Sequence, residues 1–543
     1  SLLARPRSAR ADRRRPAVLP LLPSKRSSRL LFSLASGVLL ALCFPNFSIL
    51  PLLPVALIPL LASLSGLGWR QAFLPGFVFG SAFWLVTIPW IAYTVHRFGG
   101  VGLPLAGLAL AITAGVYAVP FGIMASLYAA VRPRTGPGIV LSFAAAWVLQ
   151  EAFRTYVFVF GGFPWNLLAN PLADVPVLLG TAALGGVFLT SFLVAALDAA
   201  LFVALTRPSR NARLAWLLGA ATCALAAAAA RPPRPRPSNE ALKIGVVQPN
   251  VEQDIRWDRE TAERVQTDLE AQTRALCRAD RPALVLWPES ASPYAWSFNA
   301  AYRERVLALC RELDVAILTS TAWSDAPWDE NAPYYNAALL VKKDGPVLPP
   351  YFKQRLVPFG EYVPLAPVLR MIKPISRAVP GGFTPGERTV LLPLGDWKLG
   401  GAVCYEVVYP WIARAEARAG ADVLFTLTND AWYGRAGAQR QHWLAAVLRA
   451  VETGRPLVRA AVTGISGAVD GDGRVLVSLP AGRKGAFSVP VFRPTATPPA
   501  VAAGDAVVWV CAAGLLAGIL RARFPSPRGP VAAASPAPPR GNT

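Results

Sequence analysis

Three side chains of complementary chemistry follow one another along the middle of this chain. They are a carboxylate in Trp287-Pro288-Glu289, an amine in Tyr351-Phe352-Lys353 and a thiol in Val403-Cys404-Tyr405-Glu406. Together they suffice for covalent acyl chemistry. A Cys404 sulfur attacks a carbonyl, Glu289 takes the thiol proton and later returns a proton to the leaving group, and Lys353 with backbone N–H groups steadies the tetrahedral oxyanion. Such chemistry needs no metal and no cofactor. Singly, each residue has a plainer reading: a packed small hydrophobe, a turn or cap glutamate, a solvated surface lysine. The ordered triple with its flanks is what points to a site.

Each of the three follows an extended or β-rich stretch. Within 240–495, runs at 243–248, 283–287, 315–320, 336–341, 398–403, 423–428, 457–461 and 474–478 read as strands. Amphipathic stretches at 259–279, 299–313, 409–419 and 437–454 fall between some of them, which predicts a layered α/β domain with functional residues at strand ends. Gly400 and Gly401 just before Cys404 permit close backbone approach. A helix starting near Tyr409-Pro410 and a nearby lysine would give the thiol thiolate character.

The rest of the chain is far greasier than that domain. Of 543 residues, 54% are hydrophobic and only 16% charged, too apolar for an ordinary soluble protein. Apolar runs near 30–46, 49–66, 73–94, 103–130, 138–157, 182–206, 212–230 and 501–520 predict about eight membrane helices, seven before the α/β domain and one after it. The 54 Lys and Arg against 32 acids fit topology better than nucleic-acid binding, since no zinc-ligand set or recognition-helix pattern accompanies them. A basic cytoplasmic tail at 1–29 puts Arg70, Arg132, Arg134, Arg207, Arg210, Arg213, Arg521 and Arg523 on the same side, as the positive-inside rule requires. That places both termini in the cytoplasm and the α/β domain on the outer, periplasmic face. Residues 231–239 read as a stiff Pro-rich linker and 524–543 as a disordered tail.

Cysteine and histidine usage narrows the chemistry. The six cysteines show no CxxC, so neither a disulfide framework nor a zinc site is expected, and Cys277 and Cys310 read as buried hydrophobes. Only one of the two histidines, His442, lies in the α/β part, which favours a carboxylate as the base.

LVLWPES (284–290), YFKQRLVPFGEYVP (351–364), GAVCYEVVYP (401–410) and LTNDAWYG (427–434) resemble the carbon–nitrogen hydrolase, or nitrilase, superfamily. With the preceding apolar runs, GGFPWN (161–166) and one further apolar helix, the chain resembles that superfamily's membrane-bound branch, the bacterial apolipoprotein N-acyltransferases. The resemblance implies a four-layer αββα sandwich and a Glu289-Lys353-Cys404 triad. Glu361 matches a second glutamate that completes the site, and Tyr405, Glu406 and Trp257 match supporting positions. Without the resemblance, Glu361 and Glu406 read as partners of Arg355 or another base. The implied reaction moves a fatty acyl group, typically from phosphatidylethanolamine, to the cysteine. The acceptor is the α-amino group of a diacylglyceryl-cysteine apolipoprotein, at the bacterial inner membrane. Confining the site to the bilayer raises the effective concentration of both lipid substrates. Two positions depart from the family pattern, Val462 in RAAVTGIS and Gln439 before Gln441-His442.

Rival readings are a membrane-tethered amidase, in which water replaces the amine, and a carrier or receptor with an inactive domain. Three further features stand out. The segment after Glu361, with Leu365, Val368, Leu369, Met371, Ile372, Ile375 and Val379 among Arg370, Lys373 and Arg377, is expected either to dip into the interface or to pack internally. Glu151 and Arg154, costly in lipid, are expected to face an interior, pair together or lie at the boundary, as a structural ion pair or as support for a lipid-facing cleft. Asp198 is ambiguous, and His96-Arg97-Phe98-Gly99-Gly100 reads as a loop.

Overall fold

The computed structural model describes residues 22–131, 133, 135–206, parts of 210–221, 240–252, 259–329, 331–369, 382–434 and 437–524. The apolar N-terminal half folds as α1 (Arg26–Leu42), α2 (Ile58–Leu64), α3 (Trp69–Thr87), α4 (Trp90–Gly99), α5 (Leu103–Val131), α6 (Gly136–Tyr156) and α7 (Gly180–Thr206). Glycines let these helices approach closely: a Cβ on Gly76 of α3 would run into the Phe121 carbonyl of α5.

The expected eight spans are not all seen. Among the described residues α5, α6, α7 and the C-terminal Ala506–Arg523 helix are long and apolar enough to cross a bilayer, and α3 with α4, bent by 58°, makes a fifth if counted as one span. Proline explains much of the difference. Pro51 and Pro54 turn the 49–66 run into a 3₁₀ turn, Leu50–Val55, followed by the seven-residue α2, and Pro89 breaks the 73–94 run between α3 and α4. The first run yields the 17-residue α1. Most of 212–230, the 231–239 linker, residues 1–21 and 525–543 lie outside the described residues.

The second half is two stacked sheets. One contains β1 (Ala241–Gln248), β2 (Leu284–Leu286), β3 (Ala316–Trp323), β4 (Tyr335–Lys342), β5 (Gly345–Pro346) and β6 (Tyr351–Phe352), with β13 (Gly485–Phe492) beside β1. The other contains β7 (Leu392–Leu394), β8 (Trp397–Val403), β9 (Val423–Thr428), β10 (Leu457–Ala461), β11 (Ser466–Val469) and β12 (Val475–Leu479). Parallel pairs β1–β2, β2–β3, β8–β9 and β9–β10 sit at the centres, and Val246, Leu318, Leu340, Leu399, Phe425 and Leu427 fill the space between the sheets. Helices α8 (Arg259–Asp280) and α9 (Ala300–Leu313) cover the first sheet, with Cys277 and Cys310 buried there.

Helices α10 (Pro410–Arg418) and α11 (Ala438–Thr453) cover the second sheet, completing an αββα sandwich. Their far sides meet not water but the apolar half: Ile412, Trp443, Leu444 and Val447 share one core with Trp147, Trp165 and Phe188. Fourteen of the sixteen residues of α11 are therefore buried, although its sequence reads as amphipathic. Two of its buried polar side chains bond across that interface, Gln441 to Trp165, Pro45 and Thr87 and Glu452 to the Val187 N–H. A final helix, α12 (Ala506–Arg523), returns to the apolar half and packs on α6.

Candidate active site

Parallel strands end at the same edge, and that edge gathers the three residues. Glu289 lies three residues past β2, Lys353 directly after β6 and Cys404 directly after β8. Lys353 Nζ donates to Glu361 Oε1 at 2.9 Å and to Glu289 Oε1 at 3.3 Å. The Asn336 side-chain amide bridges the same two carboxylates, at 2.9 Å from Glu289 and 2.8 Å from Glu361. The other oxygen of Glu289 accepts the Asn429 N–H at 3.0 Å, and that of Glu361 accepts the Val357 N–H at 2.8 Å.

All of these groups are buried. Burial works against the Glu289 charge, but Lys353 and hydrogen bonds from Cys404, Asn336 and Asn429 outweigh it and hold the carboxyl below its usual range. Burial likewise disfavours the Lys353 ammonium, and Glu289 and Glu361 more than offset this, so its pKa is raised. The site thus holds a carboxylate base and an ammonium side by side.

Cys404 has φ +57°, a left-handed conformation rare for a side chain with a Cβ. Such a geometry costs on the order of 1–3 kcal/mol and persists only where the surroundings enforce it. The approach is tight: a Cβ on Gly401 would run into the Phe425 carbonyl of β9. Burial first, then the Glu289 charge, push the thiol well above its ordinary range. The expected thiolate character is therefore not present at rest. Cys404 opens only a five-residue 3₁₀ turn, Cys404–Val408, and α10 starts later, at Pro410.

Glu406 does not pair with the Arg355 guanidinium. Its carboxylate takes backbone N–H groups of Val403 (2.7 Å), Gln354 (2.6 Å) and Arg355 (3.1 Å) and the Tyr351 hydroxyl (2.9 Å). Burial raises its pKa to about 7. It locks the turn after the thiol to the loop after the lysine. Trp257 and residues 370–381 of the segment after Glu361 lie outside the described residues, as do the side chains of Val368 and Leu369.

Tyr405 faces the apolar half. Its hydroxyl and that of Tyr409 donate to the Gly162 carbonyl at 3.4 and 3.0 Å, and its ring stacks on Trp165 at 6.2 Å. The Arg154 guanidinium, 3.7 Å from Glu151, donates to the Phe163, Trp165 and Asn166 carbonyls. The Glu151–Arg154 pair thus shapes the GGFPWN loop against the thiol turn. Asp198 accepts the Leu57 N–H at 2.8 Å, and His96 and Arg97 lie in the last turn of α4 instead of a loop. Of the two departures, Val462 is buried and uses only its backbone, to Asn250 and Thr428, while Gln439 reaches the Gly434 carbonyl.

Residues 36–200 match the model of the apolipoprotein N-acyltransferase N-terminal domain and 243–497 that of the carbon-nitrogen hydrolases. An apolipoprotein N-acyltransferase from Geobacter metallireducens is 33% identical over 89% of this chain and 93% of its own. The chain belongs to the apolipoprotein N-acyltransferase family. A second member, from Azotobacter vinelandii, is 35% identical over 83% of this chain and 86% of its own. Among solved structures, an amidase of the nitrilase superfamily from Nesterenkonia AN1 is 22% identical and covers 50% of this chain and 98% of its own, with a TM-score of 0.38.

Within this family member the sequence reading missed three site residues. Asn336 carried no signal beyond its place at the start of a strand. Gln441 accepts from Trp165 Nε1 at 2.6 Å and donates to the Pro45 and Thr87 carbonyls at 2.9 and 2.8 Å. His442, buried beside it, contacts the Cys404 carbonyl, Asp430 and Arg459. The lone histidine of the α/β domain was a usable clue: its ring reaches the Cys404 carbonyl.

Proposed function

We propose that the chain transfers a fatty acyl group from a membrane phospholipid, through a thioester on Cys404, to the α-amino group of a diacylglyceryl-cysteine apolipoprotein. Glu289 accepts the Cys404 proton as sulfur attacks the ester carbonyl, and Lys353 with nearby N–H groups faces the oxyanion. Collapse expels the lysophospholipid alkoxide, which takes the proton from Glu289. In the second half the neutral amine attacks the thioester, Glu289 takes its proton, and the departing Cys404 sulfur is reprotonated.

The observation that carries this reading is the bonding of the thiol turn to the apolar half. Tyr405, Tyr409 and the Gln441-His442 pair join the site directly to the GGFPWN loop, a construction suited to lipid substrates. Glu361, Glu406, Tyr405 and Trp257 are assigned as supporting residues. The same reading has phosphatidylethanolamine as donor, the bacterial inner membrane as location, about eight helices in the membrane, both termini cytoplasmic and the catalytic domain, 240–495, on the periplasmic face.

Intact mass spectrometry of the full-length protein incubated with phosphatidylethanolamine tests it. A hydroxylamine-labile acyl adduct is expected on wild type and not on Cys404→Ala, and transfer of that acyl group to a diacylglyceryl peptide completes the reaction. No adduct from any phospholipid would overturn the reading, and release of free fatty acid with the peptide left unmodified would mark a hydrolase in which water replaces the amine.

A further inference from the structure

Arg355 stands where the apolar half meets the thiol turn, two residues beyond Lys353. Its backbone N–H is held at 3.1 Å by the Glu406 carboxylate, which also holds the turn carrying Cys404. Its guanidinium lies over the Tyr409 ring at 5.6 Å and the Trp411 ring at 5.4 Å. Among the described residues that guanidinium has neither an ion pair nor a hydrogen bond.

Stacking fixes the plane of a guanidinium while leaving its N–H edge free for a bidentate anion. On one side the approach is lined by Gly161, whose φ is +86° and on which a Cβ would stand 3.1 Å from Arg355 Nη1. Next to Gly161 in the chain, Phe160 is 40% exposed and in edge contact at 5.9 Å with Phe359, itself 44% exposed. A half-buried, unpaired cation with exposed apolar groups on one side matches a molecule that carries acyl chains and one anion on the same short backbone.

We propose that Arg355 receives the phosphodiester of the phospholipid donor, setting the ester carbonyl over Cys404. This rests on the acyltransferase reading above and adds to it the group by which the donor is recognised. The acceptor, a diacylglyceryl thioether, has no phosphate, so the role belongs to the first half-reaction. The rival is a cation that only braces Tyr409 and Trp411.

The test compares thioester formation on full-length protein in detergent, by intact mass, from a short-chain phosphatidylethanolamine and from the diacylglycerol with the same two esters. Wild type is expected to prefer the phospholipid. In Arg355→Gln that preference should shrink by about tenfold or more, the loss of a charge-assisted hydrogen bond, through KM for the phospholipid. Arg355→Lys, which keeps the charge without the fork, should fall between. Inorganic phosphate added with diacylglycerol should not raise the wild-type rate; if it does, the site takes a free anion and the proposal fails. An unchanged preference in Arg355→Gln, whether both rates drop together or neither does, assigns Arg355 to bracing alone. A wild type acylated by neither donor defeats the acyltransferase reading itself, an outcome independent of any Arg355 variant.

Discussion

His442 holds the nucleophile by its backbone: the imidazole Nε2 lies 3.0 Å from the Cys404 carbonyl oxygen. A carbonyl only accepts, so the proton sits on Nε2. Burial, then the Arg459 charge, lower the His442 pKa, and Nδ1 lies 3.0 Å from both Arg459 Nη2 and Asp430 Oδ1. Arg459 in turn pairs with Asp430 at 2.7 Å, and Thr428 links Asp430 and the Cys404 sulfur, at 2.9 and 3.3 Å. This network surrounds a residue whose left-handed backbone needs enforcement.

Replacing His442 with Phe keeps an aromatic ring against Trp165 but removes the donor to Cys404. Thioester formation in a single turnover should slow by roughly 100-fold, the effect of a small misplacement of an attacking atom, with KM for the donor unchanged. His442→Gln, which can return an N–H near the Nε2 position, should recover part of the rate. Wild-type kinetics in His442→Phe would show that Cys404 needs no such brace.

Asn336 keeps two carboxylates compatible around one ammonium by donating to both. Asn336→Asp turns that donor into a third negative charge. The Glu289 pKa should then rise, so the acid limb of the acylation rate moves to higher pH, and the rate at neutral pH should fall by about 100-fold, comparable to losing a preorganised donor. A profile that overlays wild type would show that Asn336 does not set the base.

Gln441 joins α11 to the apolar half through three buried hydrogen bonds. Gln441→Leu leaves the Trp165 indole N–H and the Pro45 and Thr87 carbonyls without that partner, a loss of about 3 kcal/mol or more, since each buried unpaired group costs roughly 1–3 kcal/mol. Thermal unfolding in detergent should begin several degrees lower. An unchanged midpoint would mean that water or side-chain shifts replace these bonds.

Much of this architecture was legible in sequence because strands and amphipathic helices carry periodic signals. β9 and β10 fall on the expected residues, and Cys404 does terminate β8. What periodicity could not reveal was contact between distant segments. Short strands such as β6 and β11 form only because a neighbour supplies the ladder. Likewise Asn336, Gln441 and His442 gain meaning from partners tens to hundreds of residues away. The thiol's resting state was misjudged for a similar reason: burial and Glu289 act through space and outweigh the nearby lysine. Proline interrupts two of the apolar runs, so helix length among the described residues supports four or five of the eight expected spans.

Behind the strand bearing the nucleophile lie two buried glutamates with opposite surroundings. Glu406 has four donors on its oxygens, whereas neither oxygen of Glu416 has a hydrogen-bond partner among the described residues. Burial, then the Glu406 charge, push Glu416 up to about 9, so Glu416 is protonated at neutral pH. A folded pKa above the unfolded value means that the folded state keeps a proton the unfolded state has released. The Glu416 contribution to stability is therefore full below about 4.5, its unperturbed value, and declines as pH rises toward about 9. The limiting slope is about 1.4 kcal/mol per pH unit. Glu416→Gln is neutral throughout and lacks that decline. Thermal melts across this window should show the variant gaining on wild type as pH increases, with the two curves parallel above the folded pKa. Parallel curves at every pH would mean that Glu416 is ionised in the fold and that a partner for its charge exists.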